Sequence, residues 1–394
     1  MRVLVSTTAG AGHFSPLVPV ARACADGGHE VLVAAPESFR DSVTSAGFRH
    51  AAFADAPPEL MAQAFSRLPS LSYEQGNQLV IADVFGRLDA QAALPGVSEI
   101  FDAWEPDLVL RDPCEFASLA VAATSGVRQA MVAIGVSAMT DAVANLVGAP
   151  LAELDVLAGL TVGSCAAAMA TTETLTAVPA ILDGRPAGRL HRYREGAACT
   201  PAGTLPDSWG EPAHPLVYVT FGSVTGSQSR FAGLYRAVLD ALADQPVRVL
   251  LTTGHGLDPA ELRPVPDNAR VERWWAQADV MPHAAAVVGH GGFGTTMGAI
   301  AAGVPQVIMP LFSLDQRLNA DHVEAVGAGL ALRSGPDDVS RIPAAVRVLL
   351  AGTSYRDAAR QVASQIAKLP PVTDMVPVLE TIAAGAGLDP VSPA

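Results

Sequence analysis

Long apolar runs and clustered cysteine are missing from this sequence, and lysine is almost absent. Half of its 394 residues are hydrophobic, yet no uninterrupted apolar run approaches the roughly 18 residues that a membrane-spanning helix needs. The opening apolar stretch at residues 2–6 is too short for a signal peptide, and no small-residue cleavage pattern follows it, so a cytoplasmic protein is expected. Of the 25 basic residues only Lys368 is a lysine, and no basic cluster offsets a net charge of −14. Nucleic-acid and anionic-membrane partners are therefore not expected. The excess of arginine fits a GC-rich coding bias and carries no chemistry of its own. Cys24, Cys114, Cys165 and Cys199 lack metal-ligand spacing and read as reduced core or surface residues.

What is present is glycine, concentrated at residues 285–303. Val287-Val288 reads as a buried strand, and His290-Gly-Gly-Phe-Gly-Thr-Thr296 as a turn into an Ala/Ile/Met helix. Such a turn leaves the first amides of the helix unpaired and pointing outward. Gly291, Gly292 and Gly294 let an anion approach the backbone, while His290, Thr295 and Thr296 add side-chain donors. No lysine follows the glycines, which excludes a P-loop, and the pattern is not G-x-G-x-x-G. The turn reads either as a diphosphate site or as tight packing alone.

In chain order, residues 2–6 form a strand, Thr7 to Pro16 a turn carrying His13, and residues 17–26 a helix closed by Gly27-Gly28. A second strand follows at 30–35. This βαβ unit puts His13 at a strand's carboxyl end, where open parallel sheets bind ligands. A further unit covers residues 39–53. Residues 55–104 contain helical pieces interrupted by Pro57-Pro58, residues 69–73 and Pro95-Gly96. A fourth strand, 107–110, leads to Asp112 and Glu115; a fifth, 129–133, precedes the apolar segment 136–170, which is either core or the wall of an apolar pocket. Four prolines and no periodicity mark 196–215 as a linker. A second α/β series follows, with strands at 216–221, 247–252, 306–309 and 329–332. Helices at 344–350, 355–367 and 375–384 close the chain. The expected organisation is an α/β protein of two Rossmann-like domains facing across a cleft. The first spans 1–195, the linker 196–215 and the second 216–372; 373–394 form a C-terminal helix and tail.

Four segments now carry a resemblance: Gly12-His13 with Pro16 and Gly28-His29-Glu30-Val31; Phe221-Gly222-Ser223; Trp274 with Gln277; and His290 through Gly303-Val-Pro305 to Asp315-Gln316. The chain resembles the GT-B glycosyltransferases of family 1 that glycosylate bacterial natural products, over nearly its whole length. The resemblance implies a nucleotide-sugar donor held by the second domain. Trp274 would stack on the base, or else be a core residue beside Trp275. Gln277 would lie near base or ribose. His290, Gly292, Thr295 and Thr296 would hold the diphosphate, with Ser223 and Thr225 approaching from the first turn of the domain. Asp315 and Gln316 would bind sugar hydroxyls, though Asp315 also suits a helix N-cap. No acidic cluster suggests a metal, and no cofactor is expected beyond the nucleotide-sugar substrate.

His13 is the candidate general base, and either Asp112 or Glu115 its partner. The expected activity is inverting transfer of a hexose, by family likeness a deoxyhexose from a dTDP donor, to a hydroxyl of an apolar acceptor. Apolar residues of 55–90 and 136–170 would line the acceptor site. The alternatives are a nucleotide-sugar epimerase and a catalytically silent partner of another transferase. A homodimer is left open.

Overall fold

The computed structural model describes residues 1–184, 189–195, 204–231 and 233–385. Cys199, the first part of the linker (196–203) and the tail beyond 385 lie outside the described residues. The chain divides into two compact units. The first is built on Met1–Ala180 and regains the chain from Leu369 onward, and the second ends at Lys368.

The first unit holds a seven-stranded sheet. Its strands are β1 (Arg2–Ser6), β2 (Glu30–Pro36), β3 (Arg49–Phe53), β4 (Leu108–Arg111), β5 (Arg128–Val132), β6 (Glu173–Thr176) and β7 (Leu190–Arg192), in the order β3-β2-β1-β4-β5-β6-β7. The second unit holds six: β8 (Leu216–Thr220), β9 (Arg248–Thr252), β10 (Ala269–Glu272), β11 (Ala284–Gly289), β12 (Gln306–Ile308) and β13 (Gly329–Ala331), in the order β10-β9-β8-β11-β12-β13. Every pairing is parallel. Both units are Rossmann-like.

Central strands are buried on both faces, which is why they read as unbroken Val/Leu runs. Alternate residues of β1 feed two cores: Val3 and Val5 pack with Leu17, Val20 and Cys24 on one face, and Leu4 with Val97, Phe101 and Val121 on the other. In β8, Val217 and Val219 face one core, Leu216 and Tyr218 the other. The C-terminal helix Met375–Ala383 places Met375, Leu379 and Ile382 in the same core as Val3 and Val5. The last described helix therefore belongs to the unit where the chain began.

Several elements differ from expectation. Strands β6, β7 and β10 were not expected, since Glu-Thr-Leu-Thr, Leu-His-Arg and Ala-Arg-Val-Glu carry too little apolar pattern; pairing to a formed neighbour defines them. Pro95-Gly96 does not interrupt its helix, which runs from Ala90 to Trp104. A Cβ on Gly96 would sit 2.9 Å from Phe53 Cβ, so this helix lies close on β3. That close packing offsets the backbone hydrogen bond the proline cannot make. The apolar segment 136–170 forms three helices, Ser137–Leu146, Gly148–Leu157 and Ser164–Thr171. No helix among the described residues is long and apolar enough to cross a membrane.

Candidate functional site

Strand order decides which turns meet. In the first sheet the direction of winding reverses between β1 and β4, which pair Ser6 with Arg111. The turns after these two strands therefore lie side by side, at the position where such sheets bind ligands. The turn after β1 carries His13 and the turn after β4 carries Asp112. Their contact follows: His13 Nδ1 lies 3.1 Å from Asp112 Oδ1.

Asp112 is fully buried, whereas the His13 side chain keeps 19% of its surface open. The carboxylate also accepts from the Thr8 amide (2.9 Å) and from the Cys114 amide (2.7 Å). The second is an Asx turn across Asp112-Pro-Cys114, a signature that can be read in sequence. Burial alone would raise the Asp112 pKa. The adjacent His13 and these hydrogen bonds outweigh it and hold the carboxyl below its ordinary range. An anionic acceptor on Nδ1 assigns the ring proton to that nitrogen and makes Nε2 the basic one. Phe85 packs its ring against His13, with centroids 5.1 Å apart.

Glu115 is not the partner. Its carboxylate accepts from the Ser118 amide and hydroxyl at the head of the helix Ala117–Ser125, and burial raises its pKa. Among the described residues one group of potential metal ligands stands out, His13, Asp112 and Cys114, with ligand atoms within 4.8 Å of one another. One imidazole, one carboxylate and one thiol suit a thiophilic ion such as zinc and not magnesium, which takes oxygen ligands.

The second unit repeats the geometry. Its switch point lies between β8 and β11, where Thr220 pairs with Gly289. The Gly222 turn therefore meets the His290 turn. A Cβ on Gly222 would stand 2.8 Å from the His290 ring, and one on Gly292 2.6 Å from Nε2, so glycine is required on both sides of the imidazole. Burial pushes the His290 pKa down to about 4, so the ring is neutral at pH 7 and carries no charge to an anion. Its Nδ1 is buried without a hydrogen-bond partner.

The helix Phe293–Ala301 starts here with Gly292 as N-cap, and its first intrahelical bond at this end runs from the Thr296 amide to Gly292. By helix geometry the amides of residues 293–295 have no such partner, the arrangement that can receive an anion. Thr295 Oγ1 accepts from Gln277 Nε2 at 2.9 Å, which leaves the hydroxyl proton free to donate elsewhere. Gln277 thus ties the Trp274 loop to the glycine turn. Thr296 is turned inward and only 3% exposed.

Of the paired tryptophans, Trp274 is 64% exposed, and Trp275 packs against the core containing Leu216 and Tyr218. Ser223 is exposed at its turn. Thr225 is fully buried with its hydroxyl donated to the Phe221 carbonyl, so it serves the turn and does not face an anion. Asp315 sits in the first turn of the helix Leu314–Ala325, whose N-cap is Ser313 and not Asp315. Gln316 is buried, and its Oε1 accepts from the Leu311 and Phe312 amides. Its oxygen is committed to shaping that loop.

Comparison with known proteins agrees with the fold. Models of the N- and C-terminal domains of erythromycin biosynthesis protein CIII-like proteins match residues 22–154 and 236–382. The L-demethylnoviosyl transferase of Streptomyces niveus is 33% identical over 386 residues, covering 94% of this chain and 95% of the relative. Among solved structures, the glycosyltransferase SnogD from Streptomyces nogalater is similar with a TM-score of 0.74 and 25% identity, over 97% of this chain and 99% of that one. The glycosyltransferase VinC, solved in complex with dTDP, has the same TM-score and identity, over 98% and 100%.

Proposed function

Because this chain belongs to the erythromycin biosynthesis protein CIII-like family of natural-product glycosyltransferases with the GT-B fold, we propose that it moves a hexose from dTDP to a hydroxyl of an apolar acceptor with inversion. The observation that supports the reading is the His13–Asp112 pair at the first switch point. The sugar is a deoxyhexose, by likeness to a family whose named relatives include a demethylnoviosyl transferase. The acceptor lies against apolar residues of 55–90 and 136–170.

In this reading the second unit holds the donor. Trp274 stacks on the base, a contact worth on the order of 1–3 kcal/mol. The diphosphate lies on the amides of residues 293–295, with Thr295, His290 and Ser223 donating, Gly292 giving backbone access and Thr296 shaping the turn from behind. Asp315 takes sugar hydroxyls, and Gln316 holds the loop beside it. His13 removes the acceptor proton as the oxygen attacks the anomeric carbon from the face opposite the diphosphate. The bond to phosphate breaks with its electron pair on the leaving group. A single displacement of this kind inverts the anomeric centre. Charge on the leaving diphosphate is met by the helix N-terminus and hydroxyl donors.

Two measurements test the donor side. In a thermal-shift series dTDP is expected to raise the unfolding temperature more than UDP or GDP at equal concentration; a larger shift with GDP would overturn the base assignment. Turnover is expected to be unchanged by EDTA, since the anion site is built from amides and hydroxyls. Activity lost to EDTA and restored by magnesium would contradict a metal-independent mechanism.

A further inference from the structure

The segment Leu79–Asp89 is a π-helix of 11 residues that runs directly into the helix Ala90–Trp104. π-Helical turns are rare and recur at functional sites. This one is held on two sides. Leu79 and Val84 are buried in a cluster with Ala64 of the helix Pro58–Arg67. Gly86 packs on the helix Gly148–Leu157, so closely that a Cβ there would stand 2.9 Å from Pro150 Cβ. Arg87 closes the second contact: Nε donates to Glu153 Oε2 at 2.7 Å and Nη2 to Oε1 at 2.9 Å. Asp83, on the π-helix itself, pairs with the same guanidinium. Phe85 lies between Val84 and Gly86, so its direction is set by backbone that neither packed neighbour lets turn. The residue is half-buried. Its ring meets the His13 imidazole with centroids 5.1 Å apart and planes at 54°, a tilted contact within the range that aromatic pairs favour.

We propose that Phe85 is a positioning residue of the transfer, whose ring holds the His13 imidazole at the tilt that turns Nε2 to the acceptor hydroxyl. The inference rests on His13 being the base. Two contacts divide the work. The bond from Nδ1 to Asp112 fixes one edge of the imidazole, and the Phe85 ring against the imidazole fixes its tilt. A general base acts only within hydrogen-bond reach of the proton it removes, so a small swing of the ring lowers the rate without altering the base itself. Phe85 exchanges no proton and forms no bond in the step. The acceptor O–H bond breaks and its proton goes to Nε2. The oxygen bonds to the anomeric carbon, and the bond to phosphate breaks with its electron pair on the diphosphate. The π-helix supplies the rigidity: its packing on the helices Pro58–Arg67 and Gly148–Leu157 keeps the Phe85 ring in place while the acceptor enters and leaves.

The test is a double-variant cycle in the full-length protein, read as transfer kinetics at one pH with a dTDP-linked deoxyhexose as donor and an aliphatic alcohol as acceptor. Phe85→Leu keeps the apolar volume and removes the flat face. It is expected to lower kcat by roughly 3- to 10-fold, with acceptor KM and dTDP affinity unchanged. Phe85→Tyr keeps the ring and is expected to stay within about twofold of the native kcat. In the His13→Ala background Phe85→Leu is expected to cost nothing further, because no imidazole is left to hold. A raised acceptor KM at native kcat would make Phe85 a wall of the acceptor site and nothing more. An equal loss with and without His13 would make its role structural. Either result overturns the proposal, as does a native kcat in Phe85→Leu. Phe85→Met repeats the first arm should Phe85→Leu not fold. Failure of the base assignment shows separately, as undiminished transfer by His13→Ala.

Discussion

Replacing His13 by alanine should slow transfer by roughly 10²–10⁴-fold while leaving nucleotide affinity unchanged. The two parts of the expectation have separate physical causes. On the proposed reading the proton goes to His13 Nε2, and no other described imidazole is paired with a fully buried, hydrogen-bonded carboxylate. On the same proposal the nucleotide is held by residues of the second unit, which the substitution leaves unchanged. Asp112→Asn should also slow transfer, since an amide neither fixes the ring tautomer nor stabilises the imidazolium as well. The double variant should lose less than the product of the single losses, as expected of groups that act as a unit. The measurement is transfer kinetics set beside calorimetric nucleotide binding, with an aliphatic alcohol as acceptor so that low acceptor pKa does not mask the base. Near-normal transfer by His13→Ala would assign the proton to another group.

The second large effect is expected at the glycine turn. Hydrogen bonds to charged groups contribute about 1.5–3 kcal/mol, so Thr295→Ala and His290→Ala should each weaken dTDP binding by roughly 10- to 100-fold. Thr295 loses a hydroxyl whose proton is free because Gln277 supplies the hydrogen bond to its oxygen. His290 loses a neutral ring donor gripped between Gly222 and Gly292. Gly292→Ala reaches the same end by another route, because its Cβ would displace the ring. Isothermal titration with dTDP reads all three, and circular dichroism checks that the fold is retained. Native affinity in both His290→Ala and Thr295→Ala would remove the diphosphate from this turn.

Much of this molecule was legible before folding. Val3–Val5 and Val217–Val219 are β-branched or aliphatic runs with no polar alternation, and only strands buried on both faces read that way. The glycines at 291, 292 and 294 and the position of His13 after a strand mark candidate sites, because turn chemistry is local. The Asx turn at Asp112-Pro-Cys114 is local too. These features, with the spacing from His290 to Gln316, were enough to name the family.

What tertiary structure alone decided was which distant neighbour each group meets. Asp112 and Glu115 are three residues apart and chemically alike in sequence. Pairing of β1 with β4 brings one to His13, while the next helix claims the other through Ser118. Trp274 and Trp275 are adjacent, and only burial separates the exposed indole from the packed one. Gln316 was expected to face a sugar, and the loop amides that hold its oxygen belong to Leu311 and Phe312. Leu79–Asp89 forms a π-helix with no periodic mark to distinguish it from an ordinary apolar helix, so Phe85 beside His13 carried no sequence signal. Periodicity, turns and caps are written in neighbouring residues. Partner choice and ionisation depend on burial and on charges brought together across the sheet, and those exist only once the strands have paired.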